Sequence, residues 1–229
     1  MLGFYAGEFD TVEVNSTYYR IMHPRVSSLM AGKTPEGFRF FVKLHESMTH
    51  SRSADGSTWQ AFHAMLEPFA SSGRLAGLLA QFPWAFRPSD ETLAYVASLP
   101  ERAGGFPVAV EFRNALWFEG DLLDRVAGQG VAPVSVDLPP LPGLPPCTPV
   151  GGSPFGYVRF HGRNSSKWWG GGPLRYDYEY ARPELAGWLP GITKLLEKSG
   201  RAFIFFNNCH GGQAVRSARL MKSLLEGEP

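Results

Sequence analysis

Several features that would restrict the class of this protein are scarce in its 229 residues. Cys147 and Cys209 are the only cysteines, too few for a disulfide framework, so we expect a reduced, cytoplasmic protein. The longest apolar runs, such as 203–206, are far shorter than the roughly 20 residues of a membrane span. The N-terminus also lacks the basic and apolar regions of a secretory signal. We therefore expect no membrane partner.

Charge of one sign is not in excess either. The sequence has 22 Lys and Arg against 21 Asp and Glu, a net charge of +1. With no global field, any polyanion would have to bind through a local patch. The chain is 44% hydrophobic, enough to build one core, and we expect a single domain over residues 1–229.

Seven short β-rich segments alternate with helical patterns along the chain. They are 11–15, 38–45, 76–82, 107–113, 132–137, 156–161 and 202–207. Regular alternation of strands and helices predicts right-handed βαβ units and parallel strands. The Pro-rich segment 139–149 is typical of a surface loop.

Side chains alternate between the two faces of a strand, and here one face is apolar throughout, including Val134 and Val136. The other face becomes polar towards the C-terminal end of each strand. A doubly wound sheet is covered by helices on both faces, so both should be apolar. In a (β/α) barrel only the outer face meets helices, and active sites lie at the C-terminal mouth. The predicted fold class is therefore α/β, a TIM (β/α) barrel.

The polar face supplies the candidate site. Its members are Glu13, Asn15, Lys43, Gln81, Glu111, Arg113, Asp137, Arg159, His161 and Asn207. The alternative is a purely structural cluster of ion pairs. Such clusters stabilise poorly, because desolvation offsets most of the Coulomb attraction. We therefore expect these side chains to line a functional cavity.

Successive segments of the chain resemble, in order, the motifs of the TIM-barrel family called domain of unknown function 72, the YecE-like proteins. They are "FDTVEVNSTYYR" (9–20), "FVKLHESMTH" (41–50), "LLAQFP" (78–83), "VEFRNALW" (110–117), "YVRFHGR" (157–163), "YDYEY" (176–180) and "FFNNCHGGQAVRSA" (205–218). The resemblance covers nearly the whole chain. It implies a barrel with a shared polar mouth, but no reaction.

The same resemblance implies that the family's first strand is missing here, and Asn114 stands where the family usually has His. We therefore expect seven strands and a gap between strands 11–15 and 202–207. Unpaired strand edges are a liability, so residues 1–9 or a dimer partner would cover the gap. Whether Met1 is the true start is left open.

Carboxylates and an imidazole are the candidate catalytic groups. We assign proton transfer to Glu13 or Glu111, with His161 and Asp137 as further candidates. Two carboxylates could support glycoside hydrolysis. Arg113 disfavours it, because an Arg two residues along the strand would hold the pKa of Glu111 down and make it a poor acid.

Cations predict a substrate with an anionic group, a phosphate or a carboxylate. Lys43, Arg113, Arg159 and Arg163 converge on the same mouth. The turn between the last strand and the last helix adds free N–H groups of the kind that bind anions. Its candidate binding residues are Asn207, Asn208, His210, Gly211 and Gly212.

Aromatic residues and histidines complete the set. Trp168 and Trp169 lie in a long Gly-containing loop that could close over a sugar or a base, or pack one ring against the rim. No cofactor is expected. The alternative is a divalent metal held by histidines and carboxylates, namely His45, His50, His161 and His210 with Glu13, Glu111 and Asp137. No metal-binding spacing is present, and the nearby cations would repel the ion.

The sequence thus predicts an enzyme, hydrolase or isomerase, that acts on an anionic substrate by acid/base chemistry. Two alternatives stay open: phosphodiester cleavage in nucleic acid, and non-catalytic binding of a nucleic acid or a metabolite. Catalysis needs a titratable group without a permanent partner. Whether Glu13 and Glu111 are free or locked in ion pairs therefore discriminates between catalysis and binding alone.

Overall fold

The computed structural model describes residues 1–227, in which parallel strands alternate with helices. The strands are β1 (Thr11–Val14), β2 (Arg39–Lys43), β3 (Leu75–Gln81), β4 (Val108–Glu111), β5 (Ala132–Pro133), β6 (Ser135–Asp137), β7 (Gly156–Phe160) and β8 (Ala202–Phe206). They form a five-stranded sheet in the order β1-β2-β3-β4-β5 and a three-stranded sheet in the order β6-β7-β8. Every strand pairing is parallel, so the C-terminal ends meet at one edge.

Helices connect the strands. They are α1 (Leu2–Tyr5), α2 (Pro24–Ala31), α3 (Glu46–Thr49), α4 (Gly56–Ser71), α5 (Asp90–Ala97), α6 (Leu99–Arg102), α7 (Leu122–Ala127), α8 (Arg182–Ala186), α9 (Leu189–Ser199) and α10 (Gln213–Leu225). Short 3₁₀ helices cover Ser16–Tyr18, Ala115–Phe118, Gly172–Tyr176 and His210–Gly212. In residues 1–227, no helix has both the length and the apolar character that a membrane crossing requires.

Local sequence explains where the longer helices begin. Asp55 starts α4, since its carboxylate accepts a hydrogen bond from the Thr58 amide at 2.8 Å. Ser89 starts α5 with a reciprocal cap, in which its hydroxyl accepts from the Thr92 amide at 3.2 Å and the Thr92 hydroxyl accepts from the Ser89 amide at 2.8 Å.

Alternate residues of a strand pack into different apolar clusters. Phe40 and Val42 of β2 face α4 and its neighbours, whereas Phe41 between them belongs to an interior cluster with Tyr157 and Phe205. Val158 and Phe160 of β7 pack against α8 and α9 in a third cluster. The face turned away from the helices is therefore apolar at depth, and its polar residues come at the C-terminal ends.

The predicted strand 132–137 is divided between the two sheets. Ala132–Pro133 pairs with β4 and Ser135–Asp137 pairs with β7, while the Val134 amide donates to the Val110 carbonyl at 3.0 Å. The phase predicted for this strand is wrong. Val134 and Val136 lie in the interior cluster, so Asp137, the residue after Val136, is turned the other way.

The strands do not form a closed barrel. Within residues 1–227, β1 pairs only with β2 and β8 pairs only with β7, which leaves one open edge on each. A groove of ≈ 630 Å³, here the β1–β8 groove, lies between these edges and is lined by α10 and by Tyr5 and Phe9. The Glu8 carboxylate reaches Arg219 of α10 at 3.0 Å, so the N-terminal segment contacts α10 beside this groove.

The open edges generate a testable prediction. The amides of β1 and β8 that face the β1–β8 groove have no strand partner, whereas β3 has neighbours on both sides. We expect these groove-facing amides to exchange with solvent at least about tenfold faster than those of β3, measured by amide hydrogen exchange in native conditions. Equal protection of the three strands would show that the groove edges are paired in solution.

Candidate functional site

Arg159 is the centre of the polar group at the C-terminal ends of the strands. Its side chain is 1% exposed. One guanidinium nitrogen donates to Oε2 of Glu111 at the end of β4, and the other donates to Oε1 of Glu13 on β1 at 2.5 Å. Arg159 itself lies on β7, so one side chain ties the two sheets together through their carboxylates.

The two carboxylates carry further partners. Glu13 accepts from the Tyr157 hydroxyl at 2.6 Å and from the Asn15 amide at 2.8 Å. Glu111 also pairs with Arg113. Burial alone would raise the pKa of Glu111, but the adjacent Arg113 and Arg159 hold it well below its usual value. Glu111 is therefore ionised throughout the physiological range and has no proton to give.

His161 is buried beside this carboxylate. Its Nε2 lies 3.3 Å from Oε1 of Glu111, and its Nδ1 lies 3.2 Å from the side-chain amide of Asn207. Burial and the neighbouring Arg113 lower the pKa of His161 to about 3. The imidazole is neutral at pH 7. With the proton on Nε2, its N–H lies beside the Glu111 carboxylate and Nδ1 is free to accept from Asn207.

Lys43 occupies a different environment at the end of β2. Its ammonium donates to Oε1 of Gln81 at 2.8 Å and lies 4.6 Å from the centre of the Tyr18 ring. Burial, followed by the charge of Arg159, lowers the pKa of Lys43 to about 8. Lys43 can therefore be either protonated or neutral close to neutral pH.

A cavity of ≈ 410 Å³ opens above these residues. Its cationic lining residues are Lys43, Arg113, Arg159 and Arg175, and no Asp or Glu is among the described residues that line it. The glutamates lie behind the lining, where they orient Arg113 and Arg159. The electrostatic character of the cavity is therefore positive.

Most of the predicted polar set is brought together. Asn15, Lys43, Gln81, Arg113, Arg159, Trp168, Trp169 and Asn207 line the cavity. Glu13, Glu111 and His161 contact these lining residues from behind. Trp168 is 3% exposed and packs in the interior cluster, whereas Trp169 is 56% exposed.

Asp137 and Arg163 are not part of this cavity. The Asp137 carboxylate accepts two hydrogen bonds from Arg163, at 2.8 and 2.6 Å, and one each from Tyr180 and Trp188 at 2.7 Å. This network lies on the helix side of β6, because the phase of that strand is opposite to the predicted one. These four hydrogen bonds occupy both oxygens of the Asp137 carboxylate. They also hold the segment around Tyr180 against the sheet.

The turn after β8 also lies outside the cavity lining, apart from Asn207. Asn208 is buried and donates to the Tyr178 carbonyl at 2.8 Å and the Ser217 hydroxyl at 3.2 Å. His210 is exposed, 3.2 Å from an oxygen of Asp177. Gly211 and Gly212 adopt positive φ values of 53° and 77°, which let the chain turn into α10.

The sequence reasoning missed several lining residues. They are Tyr18, Tyr19, Pro83, Trp84, Leu144 and Arg175, while His50 was considered only as a metal ligand. Most follow the end of a strand or lie in the long loop after β7. Position directly after a strand end was the available signal for Tyr18 and Trp84, because those loops build the mouth of a parallel α/β site.

The histidines and carboxylates of the described part of the chain do not converge on a metal site. In residues 1–227, no group of three or more His, Cys, Asp or Glu side chains is placed to hold a metal ion. His45 caps α3, and His50 bonds the Thr49 hydroxyl at 3.0 Å. The groups available to a ligand in the cavity are cationic, amide and aromatic.

Comparison with known proteins places this arrangement in a family. The sequence profile of the family described as "Protein of unknown function DUF72" matches residues 1–229. The chain belongs to the DUF72 family. The resemblance of its motifs to that family is thereby confirmed.

Relatives of this DUF72 chain include one curated protein and solved structures. It is 31% identical to the UPF0759 protein YunF of Bacillus subtilis over 242 residues, covering 98% of this chain and 86% of YunF. It is similar to a DUF72 family protein of Thermotoga maritima (36% identity, TM-score 0.86, 95% of this chain and 85% of that one). A DUF72 family protein of Enterococcus faecalis matches with 26% identity and a TM-score of 0.89, over 99% and 93% of the two chains.

The buried charges of the site generate a stability prediction. Glu111→Gln leaves Arg113 and Arg159 without one anionic partner, and we expect it to lower the free energy of unfolding at pH 7 by about 3–5 kcal/mol, measured by urea denaturation. Glu197→Gln, at an exposed position of α9, is the matched control and should change it by less than about 0.5 kcal/mol.

The same variant has a defined pH dependence. Because the folded pKa of Glu111 is depressed, its stabilising contribution is complete above the unfolded pKa of about 4.3 and is lost as the pH falls below it. The difference between wild type and Glu111→Gln should therefore shrink as the pH falls from about 5 to 3. A difference that is absent at pH 7, or constant with pH, would contradict the ion-pair account.

Proposed function

We propose that the cavity binds a small organic anion and that a phosphate or carboxylate group of this ligand lies among Lys43, Arg113 and Arg175. One observation carries the proposal: the described lining contains four cationic side chains and no carboxylate. A volume of ≈ 410 Å³ is within the roughly 300–1,000 Å³ of small-molecule sites.

The charge balance supports the same ligand class. Glu13 and Glu111 offset the charges of Arg113 and Arg159. Lys43 and Arg175 have no carboxylate within ion-pair distance in residues 1–227. Two positive charges therefore face the cavity uncompensated, and an anionic ligand would form charge-assisted hydrogen bonds with them.

For catalysis, we assign proton transfer to Lys43 rather than to the glutamates. Glu111 is held ionised by two guanidinium groups, and Glu13 is bound by Arg159, Tyr157 and Asn15. Lys43, with a pKa of about 8, is suited to accept and return a proton near neutral pH. The proposed activity is acid/base chemistry on an anionic substrate, of the hydrolase or isomerase type.

Binding without catalysis is the second candidate. The observation in its favour is that both glutamates of the site have permanent partners, which binding tolerates and acid/base catalysis does not. The two candidates are separated by turnover of an anionic substrate. Turnover by wild type that is lost in Lys43→Met would favour catalysis over binding alone.

We further infer that the two sheets are the wall of an open (β/α) barrel. The support comes from Arg159 and Tyr157 on β7, which reach Glu13 on β1 across the interior, and from Phe41 of β2, which packs against Tyr157 and Phe203 at ring distances of 4.8 and 4.7 Å. Residues of both sheets thus face one shared interior, with the cavity at its C-terminal end.

The anion proposal predicts a pH-dependent affinity. Lys43 is protonated below about pH 8 and loses its charge as the pH rises through that value. The second pKa of a phosphate monoester is about 6, so the ligand charge is nearly constant between pH 7 and 9. Burial lowers the pKa of His50, which lines the same cavity, so its charge is also constant in this window. We expect the dissociation constant for ribose 5-phosphate, measured by calorimetry, to rise severalfold from pH 7 to 9.

Two variants check the origin of this dependence. Lys43→Met should bind ribose 5-phosphate about tenfold more weakly at pH 7, as expected for one lost charge-assisted hydrogen bond, and should show no change between pH 7 and 9. Lys33→Met, at an exposed position away from the cavity, should behave as wild type. Unchanged affinity in Lys43→Met would overturn the assignment.

A further inference from the structure

Exposed aromatic side chains surround the cationic cavity. Among its lining residues, Trp84 is 39%, Trp169 is 56% and Tyr19 is 80% exposed. Large aromatic side chains contribute most when they are buried, and exposed clusters of them mark interaction sites. The fold makes little use of these rings, so they are available to a ligand.

The rings are nevertheless held in place. The Trp84 indole donates to the Gly143 carbonyl at 3.0 Å, and the Arg87 guanidinium lies 5.1 Å from its ring centre. Trp169 stands edge-to-face with Trp84, with ring centres 6.1 Å apart and planes at 81°. Such a pair forms an L-shaped corner that can place one ring beneath a flat group and the other at its edge.

The aromatic corner is linked to the cationic floor. Trp168, the residue before Trp169, is buried, and the Arg113 guanidinium lies 6.0 Å from its ring centre. A ligand in this cavity can therefore contact cations at one end and aromatic faces at the other. Sugar phosphates and simple carboxylates would contact only the cationic end.

We propose that the ligand is a mononucleotide, with its phosphate on Lys43 and Arg113 and its base against Trp169 and Trp84. This proposal rests on the proposed function, to which it adds the planar group. Aromatic stacking suits nucleobases because each base offers a flat π-face. A longer nucleic acid is disfavoured by the chain's net charge of +1, which gives no overall positive field to attract a polyanion.

The test compares adenosine 5′-monophosphate with ribose 5-phosphate, which has the same anionic group and no base. We expect wild type to bind the nucleotide about tenfold tighter by calorimetry, the size of one stacked base. Trp169→Ala should remove this preference, because it should weaken binding of the nucleotide about tenfold more than binding of ribose 5-phosphate. The matched control is Leu174→Ala, an exposed residue of the same loop that does not line the cavity and should behave as wild type.

Each other outcome counts against a distinct step. If both ligands bind equally and Trp169→Ala changes neither, the nucleotide assignment is overturned while the anion site stands. If neither ligand binds, both proposals fail. A single-stranded oligonucleotide that binds a hundredfold tighter than the mononucleotide would overturn the choice of a free nucleotide in favour of nucleic acid. Far-UV circular dichroism confirms that the variants are folded.

Discussion

The guanidinium of Arg159 joins Glu13 and Glu111, which end strands in one sheet, to a strand of the other sheet. Removing an arginine and two carboxylates from water is costly, and only mutual pairing makes their burial tolerable. That requirement holds the C-terminal ends of the strands in one geometry. Arg113 and Arg159 together keep Glu111 ionised, whereas burial and the charge of Arg113 keep the adjacent His161 neutral.

Buried and cavity-lining charges of the site have different roles. The carboxylates of Glu13 and Glu111 pair with Arg113 and Arg159 and offset their charges from behind the cavity wall. Among the described residues, the charged side chains that line the cavity are therefore cationic, without a carboxylate among them. Lys43 lies beside this cluster without a carboxylate of its own, and burial together with the charge of Arg159 brings its pKa to about 8. Preorganised cations and a titratable amine in one cavity are what binding and proton transfer on a small anion require.

Much of the fold and of the candidate site could be predicted from the sequence. Strand period and parallel order place Lys43, Glu111, Arg113 and Arg159 on one face and at one edge, because these are repeating local constraints. The predicted orientation of Asp137 was wrong, because its carboxylate accepts hydrogen bonds from Arg163, Tyr180 and Trp188, which lie far along the chain. Trp84 lies in a turn and Arg175 in a short 3₁₀ helix, and neither segment is long enough to show a residue period in the sequence. Whether β1 pairs with β8 is a long-range question that no local pattern encodes. The expectation of a gap between them came from the family resemblance, and within residues 1–227 the two strands are not paired.

The central claim is that the anion site lies in the cavity above Arg159. The most direct measurement is the anomalous difference density of crystals soaked in sodium tungstate, a heavy phosphate analogue. The account predicts a peak within hydrogen-bond distance of Lys43 and Arg113, and a clearly weaker peak in crystals of Lys43→Met soaked at the same concentration. A peak only at the turn formed by Gly211 and Gly212, with none in the cavity, would contradict the account.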